Sequence, residues 1–323
     1  MRPSSMSRWI ISVPVWGESY VRTFAEAAAP ALLAAVGRLH VPVKFVMHTD
    51  QPERVRAALP DQDVEFCRVG DRATYVALQE AHAEVVAASM FGDRVVLLNA
   101  DLVVSGNLLE RCAEHFDAGR LAIVLLGIRT VAGRERPPAG AAPRDLLAWA
   151  WDHRHQIIRD LEWPRGGSLL PTNLFFAAGG SVVARGFHLH PAAIIKQDDT
   201  DFSSTIDGDL LDCYPRDRIH VVVDPDDCSM CEVSPPERRF PVRDDGGMRP
   251  RRVAASMASR ASATHLWLFT HRIGVVGPTR DCGDEQVVGE ILEIMSQAAP
   301  AQVGGRRGRD PGGARGRVPA GQS

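Results

Sequence analysis

Residues 94–105 read R-V-V-L-L-N-A-D-L-V-V-S, from Arg94 to Ser105. Val95 to Leu98 make a short apolar run of the kind that forms a buried strand. Asn99-Ala100-Asp101 follows at once, and Leu102 to Val104 resumes the apolar pattern. A carboxylate just past a buried strand stands where open α/β sheets bind ligands, outside the carboxyl ends of their strands. Holding it there costs free energy unless it meets a cation, a donor or water. Asp101 is therefore the first candidate for chemistry. Its structural alternative is a loop Asp that caps Ser105 to Glu110 or pairs with an arginine.

Working outward, strands and helices alternate. Trp9 to Val15 is an apolar strand, turned by Trp16-Gly17-Glu18-Ser19. Tyr20 to Leu39 has helical spacing, which Pro30 must interrupt or kink. Val43 to Met47 is a second strand, closed by His48-Thr49-Asp50. Gln51 to Leu59 reads as a helix with Pro52 in its first turn. Val64 to Val69 is a third strand, and the helix Ala73 to Met90 delivers the chain to Val95. Leu108 to Phe116 is a further helix and Leu121 to Ile128 a further strand. This alternation predicts an α/β fold, a mostly parallel twisted sheet with helices on both faces. The loops that carry Trp16, Asp50 and Asp101 then share one sheet edge.

The second half is mixed α+β. Val131 to Arg144 is rich in Gly, Pro and Arg and reads as a surface loop. Arg144 to Trp163 and Arg251 to His271 have helical spacing, Gly186 to Pro191 and Ile219 to Val223 read as strands. The expected organisation is an α/β half over residues 1–130, a second half of the same domain over 131–300, and a disordered Gly/Arg-rich tail over 301–323.

Length and composition allow one large domain. The chain has 323 residues, 45% hydrophobic and 24% charged, with a net charge of -3. That balance gives no reason to expect nucleic acid or acidic membranes as partners. Lysine occurs only at Lys44 and Lys196, and the bias to arginine and alanine suggests a GC-rich, bacterial genome. No run approaches the roughly 20 apolar residues of a transmembrane segment. The N-terminal apolar stretch is too short for a secretory signal, so a cytoplasmic location with reduced thiols is expected. Cys228-Ser-Met-Cys231 is a lone C-x-x-C and reads better as core-filling thiols than as a zinc or redox site.

Other residues carry two readings each. Trp16 either stacks on a base or sugar, or packs at the sheet edge. Thr49 and Asp50 end the second strand; Asp50 either meets a ribose hydroxyl or caps the following helix. Asp207 and Asp209 flank Gly208, whose turn permits close substrate approach, so a carboxylate there can act on an acceptor hydroxyl. Asp198, Asp199 and Asp201 read as a solvated loop, and Asp224, Asp226 and Asp227 as a structural turn. His188 and His190 alternate along one strand; they either contribute to a metal shell or sit hydrogen-bonded in the core. His265 and His271 are weaker candidates.

The segments V-P-V-W-G-E-S-Y-V, L-L-N-A-D-L-V-V-S, G-F-H-L-H-P and T-I-D-G-D-L-L, in that order over roughly Arg8 to His271, resemble a bacterial group of GT-A-fold glycosyltransferases. The strand-end motif of that family is usually Asp-x-Asp and holds a divalent metal against a sugar-nucleotide pyrophosphate; here Asn99 replaces the first Asp. The resemblance implies a GT-A-like fold, a nucleotide-sugar donor, a hydroxyl acceptor, and Mg²⁺ or Mn²⁺ at Asp101 with His190 as a further ligand. It implies Pro14, Trp16, Thr49, Asp50 and Asn99 around the nucleotide, and Asp207 or Asp209 acting on the acceptor or sugar. Two readings compete. A non-catalytic sugar- or nucleotide-binding protein accounts for Asn99. A nucleotidyltransferase would favour a Gly-rich phosphate loop and a lysine near the first strand, and neither is present.

Overall fold

The computed structural model describes residues 7–69, 74–131, 133, 135–168, 170–200, 210–234 and 247–298. Asp201, Asp207, Asp209 and the tail 301–323 lie outside them.

The first half begins with β1 (Trp9–Val15), α1 (Glu18–Thr23), α2 (Ala29–Leu39), β2 (Val43–Thr49) and α3 (Pro52–Ala58). β3 (Asp63–Cys67), α4 (Thr74–Ala88), β4 (Arg94–Leu97), β5 (Leu102–Val104), α5 (Leu108–Asp117), β6 (Ala122–Leu125) and β7 (Gly127–Val131) follow. The second half holds α6 (Pro143–Asp152), α7 (Gln156–Arg159), β8 (Asn173–Ala178), β9 (Ser181–Gly186) and β10 (His190–Ile195). It continues through β11 (Ile219–Val221), β12 (Met230–Ser234), α8 (Pro250–Met257), α9 (Ala263–Phe269), β13 (Ile273–Val276) and α10 (Asp284–Ala298).

Seven strands form the main sheet in the order β11-β6-β10-β4-β1-β2-β3. β1 pairs in parallel with β2 and β4, β2 with β3, and β6 with β11. Only β10 runs against its neighbours, β4 and β6. The sheet is mostly parallel, as the alternation predicts. Successive residues of its strands enter opposite cores, because side chains alternate across a strand. Ile10, Val95, Leu97 and Val124 pack with α4, α6, α8, α9 and α10. Ile11, Val13, Val96, Ile123 and Leu125 pack with α1, α2, α3 and α5. Burial on both faces explains why Val95 to Leu97 and β6 are apolar without interruption. The first of these cores also takes in Leu174 to Phe176 and Val182 to Ala184, from the small sheet β13-β9-β8. A third sheet, β5-β12-β7, stands beside the ends of β1 and β4.

Five local expectations change. Leu121 to Ile128 is two strands, since Leu126 is where the chain leaves the main sheet for the small one. Gly186 to Pro191 is a corner between β9 and β10; a Cβ at Gly186 would meet Leu189 Cδ2 at 2.5 Å. Arg144 to Trp163 divides into α6 and α7, and His155 caps the second by accepting from the Ile157 amide at 3.1 Å. Arg251 to His271 breaks into α8 and α9 because Ser262 starts a new helix, with its hydroxyl and the His265 ring closing a capping box. The kink expected at Pro30 is a π-helical turn over Phe24–Ala28, after which Pro30 opens α2.

Candidate functional site

The parallel register brings Val15, Thr49 and Leu97 to one edge of the main sheet. Past that edge lies a cleft of about 540 Å³. Its walls include Pro14, Trp16, Tyr20, Leu78, Ile157, Leu161 and Met230, and its polar groups are Gln79, Asn99, Asp101, Arg129, Thr172, Asn173, His188, His190 and Glu232. A mostly apolar cleft with a few converging polar groups, at the carboxyl ends of parallel strands, is the usual form of a small-molecule site.

Trp16 reaches the cleft because the loop after β1 is braced from β2. Gly17 has φ +77°, and its amide donates to both carboxylate oxygens of Asp50, at 3.2 and 3.3 Å. The helix-capping role considered for Asp50 is not observed: Gln51 is the N-cap of α3, and its amide donates to Thr49 Oγ1 at 3.0 Å. Asp50 supports the loop after β1, Thr49 supports the start of α3, and neither lines the cleft.

Asp101 sits in the turn between β4 and β5, closed by the Leu102 amide donating to the Asn99 carbonyl at 3.1 Å. Its side chain lines the cleft and the residue is 3% exposed. Its own carbonyl accepts from the Val233 amide at 2.7 Å, and the register pairs Leu102 with Glu232. That pairing places a second carboxylate, Glu232, beside the Asp101 turn. Glu232 Oε2 accepts from Arg129 Nη2 at 2.6 Å and Oε1 from Ser234 Oγ at 3.1 Å.

Asn99 has a buried partner. His82, on the inner face of α4, is fully buried between Ser12 Oγ (2.9 Å from Nδ1) and Asn99 Oδ1 (3.4 Å from Nε2). Burial pushes its pKa down to about 3, with His190 and His48 adding and the Asn99 bond opposing. The imidazole is thus neutral. An amide oxygen can only accept, so Nε2 carries the proton and Ser12 donates to Nδ1. An aspartate at position 99 would set a charge against this buried ring. Asn99 leaves the pair uncharged and presents an amide to the cleft.

His190 reaches the same edge because β10 is the antiparallel strand, so its first residue lies where β4 ends. Its Nε2 donates to the Leu97 carbonyl at 2.6 Å, which leaves Nδ1 as the nitrogen able to ligate. Burial lowers its pKa. His188 also lines the cleft; burial, then His265 and Arg260, lower its pKa to about 4. The two histidines meet the cleft from either side of a corner, not from one face of a strand.

A divalent ion can be tested against these groups. Among the described residues, neither Asp101 nor His190 belongs to a trio of potential ligands within 4.8 Å. The cleft still offers two carboxylates, Asp101 and Glu232, and the His190 Nδ1. As placed, these three do not converge on one point, so an ion held by one or two of them would take most of its ligands from phosphate oxygens and water. The set does not fit a closed structural metal site.

Asp207 and Asp209 lie outside the described residues. Cys228 and Cys231 are buried free thiols, and burial raises the pKa of both. Asp227 is bound by Arg111, His115 and His220, consistent with a structural turn. Sequence reading overlooked Glu232, Arg129 and His82. Each carried a signal, a charged or polar residue inside an apolar element: M-C-E-V-S for Glu232, G-I-R-T-V for Arg129, and His82 ahead of Val85 and Val86 on α4.

No protein family matches the chain, and no curated protein matches it. Solved structures do. The residue 1–349 form of TarS from S. aureus is 12% identical with a TM-score of 0.42, over 90% of this chain and 72% of that one. A putative nucleotide-diphospho-sugar transferase from Desulfovibrio desulfuricans G20 is 19% identical with a TM-score of 0.27, over 39% and 59%. A mycobacterial protein is 14% identical with a TM-score of 0.31, over 85% and 77%.

Proposed function

We propose that the chain is a glycosyltransferase that moves a sugar from a nucleotide-diphosphate donor to a hydroxyl acceptor. The observation that supports this best is the convergence of Asp101 and Glu232 in one cleft at the carboxyl ends of β1 and β4, under Trp16. In this reading Pro14 and Trp16 receive the nucleotide, Trp16 by stacking, while Asp50 holds the loop that carries it and Thr49 pairs with Val15 at its base. Asn99 donates an amide hydrogen to the ribose or diphosphate.

Asp101, with His190 Nδ1, would hold Mg²⁺ or Mn²⁺. Such an ion supplies neutralising charge to the departing diphosphate. Glu232 takes the proton of the acceptor hydroxyl as the acceptor oxygen bonds to the sugar carbon and the bond to the diphosphate breaks. Arg129, 2.6 Å from Glu232 Oε2, orients that carboxylate. Asp207 and Asp209 are the other carboxylates we assign to the acceptor side, and substitution decides between them and Glu232. Residues 1–130 would then form the donor half and 131–300 the acceptor half.

A non-catalytic nucleotide- or sugar-binding role is the second reading. It is favoured by the uncharged Asn99–His82 pair and by the lack of a three-ligand group around Asp101 among the described residues.

The test is thermal unfolding with UDP-, GDP-, CMP- and dTDP-sugars, with and without Mn²⁺. A ligand at about 100 times its Kd raises the unfolding free energy by ~2.7 kcal/mol. A metal-dependent shift with one nucleotide class, followed by donor turnover with hydroxyl acceptors, is the expected result. A shift without turnover moves the protein to the binding reading. No shift with any donor removes the nucleotide site.

A further inference from the structure

A second group of ligating side chains stands apart from the cleft, at the outer edge of the main sheet. His115 comes from the last turn of α5, His220 from the edge strand β11, and Asp227 from the turn that leads to β12. One atom from each lies within 4.8 Å of the other two. Asp227 Oδ2 is 2.9 Å from His115 Nε2 and 3.0 Å from His220 Nε2. None of the three lines the cleft.

We propose that His115, His220 and Asp227 form a site for one first-row transition ion, with Zn²⁺ the best chemical fit. Two imidazole nitrogens and one carboxylate oxygen are the donors Zn²⁺ favours, and three protein ligands leave a position for water. The carboxylate is already oriented. Arg111 Nε donates to Oδ1 at 2.7 Å, and Oδ2 is the oxygen shared by both rings, with His115 Nε2 also 3.2 Å from Oδ1. Supporting hydrogen bonds of this kind commonly hold a metal-ligating carboxylate. Arg111 also pairs with Glu114, which tempers its charge beside the ion.

The histidines are stacked, with ring centres 3.7 Å apart and planes 27° from parallel. With no ion, each Nε2–H donates to Oδ2. An ion displaces both of these protons, the Nδ1 atoms become the protonated nitrogens, and the rings tilt until their lone pairs converge. They have room to do so: the side chains are 15% and 23% exposed, while that of Asp227 is 9%. The ion would tie the three-residue edge strand β11 to α5, and so close the margin of the sheet farthest from β3.

The experiment is Zn²⁺ titration of the full chain, stripped with chelator, read by calorimetry and by bound metal after gel filtration. One ion per chain is expected, with a rise in the unfolding midpoint. His115→Ala and His220→Ala should each weaken binding at least roughly tenfold. Asp101→Asn should leave it intact, which separates this site from the cleft. Unchanged Zn²⁺ binding in both histidine variants, or no stoichiometric binding by the parent chain, overturns the proposal. Co²⁺ in the unaltered chain covers variants that fail to fold. Intense visible bands that Zn²⁺ abolishes support a four-coordinate site, whereas the pale spectrum of hydrated Co²⁺ overturns it.

Discussion

His82 Nε2 lies 3.4 Å from Asn99 Oδ1, so a fully buried imidazole sets the orientation of a polar residue that lines the cleft. The ring must stay neutral to do this, and its neutrality has a measurable consequence. The folded pKa, about 3, is below the 6.5 of an ordinary histidine. The unfolded chain therefore binds one more proton than the folded one between those values. Stability that is intact above pH 6.5 should fall as the pH drops toward 3, by about 1.4 kcal/mol per pH unit from this group. His82→Gln should remove one proton from the uptake measured on acid unfolding. Asn99→Asp should raise the His82 pKa, read from the imidazole proton shifts by NMR. An unchanged titration in that variant would show that the two side chains do not communicate.

Asp101→Asn keeps the shape of the turn and its backbone bond to Val233 but removes the charge. The metal-dependent part of donor stabilisation should vanish, and any metal-independent part should remain. Unfolding midpoints with and without Mn²⁺ give both quantities. A full metal-dependent shift in the variant would take the ion away from Asp101.

Glu232→Gln preserves hydrogen bonding to Ser234 while removing the basic carboxylate. If Glu232 accepts the acceptor proton, kcat should fall by roughly 10²–10⁴-fold with little change in donor KM. Asp207→Asn and Asp209→Asn, measured alongside, should have smaller effects on kcat. The reverse ranking transfers the role to that acidic turn.

Asp284 is a stability prediction away from both sites. Its carboxylate is fully buried and takes Arg185 Nε at 2.7 Å and Arg272 Nη2 at 2.7 Å. Asp284→Ala leaves the Arg185 guanidinium, itself 5% exposed, buried without its counter-charge. The expected loss is about 3–5 kcal/mol, measured by denaturant unfolding. Burial opposes ionisation of Asp284, but the bonds from Arg272 and Arg185 outweigh it and hold its pKa below 3.8. Its contribution is thus present above the unfolded carboxylate pKa and lost as acid titrates the folded group.

What the sequence determined by itself was local and periodic. Apolar runs such as Val95 to Leu98 and the helical spacing between them were enough for a mostly parallel α/β sheet, because the central strands β1, β4 and β6 are buried on both faces and leave a mostly apolar signature. The strand-end position of Asp101 was legible for the same reason, since the change from Leu98 to Asn99 marks where the sheet ends. Tertiary structure alone decided which distant residues meet there. Glu232 arrives through the pairing of β12 with β5, across about 130 residues of chain, and His190 because β10 runs against its neighbours. The union of His115, His220 and Asp227 is of the same kind. Spacing along a chain carries no record of strand order or register between remote segments. Those follow from which faces can be buried together, and only the packed fold resolves them.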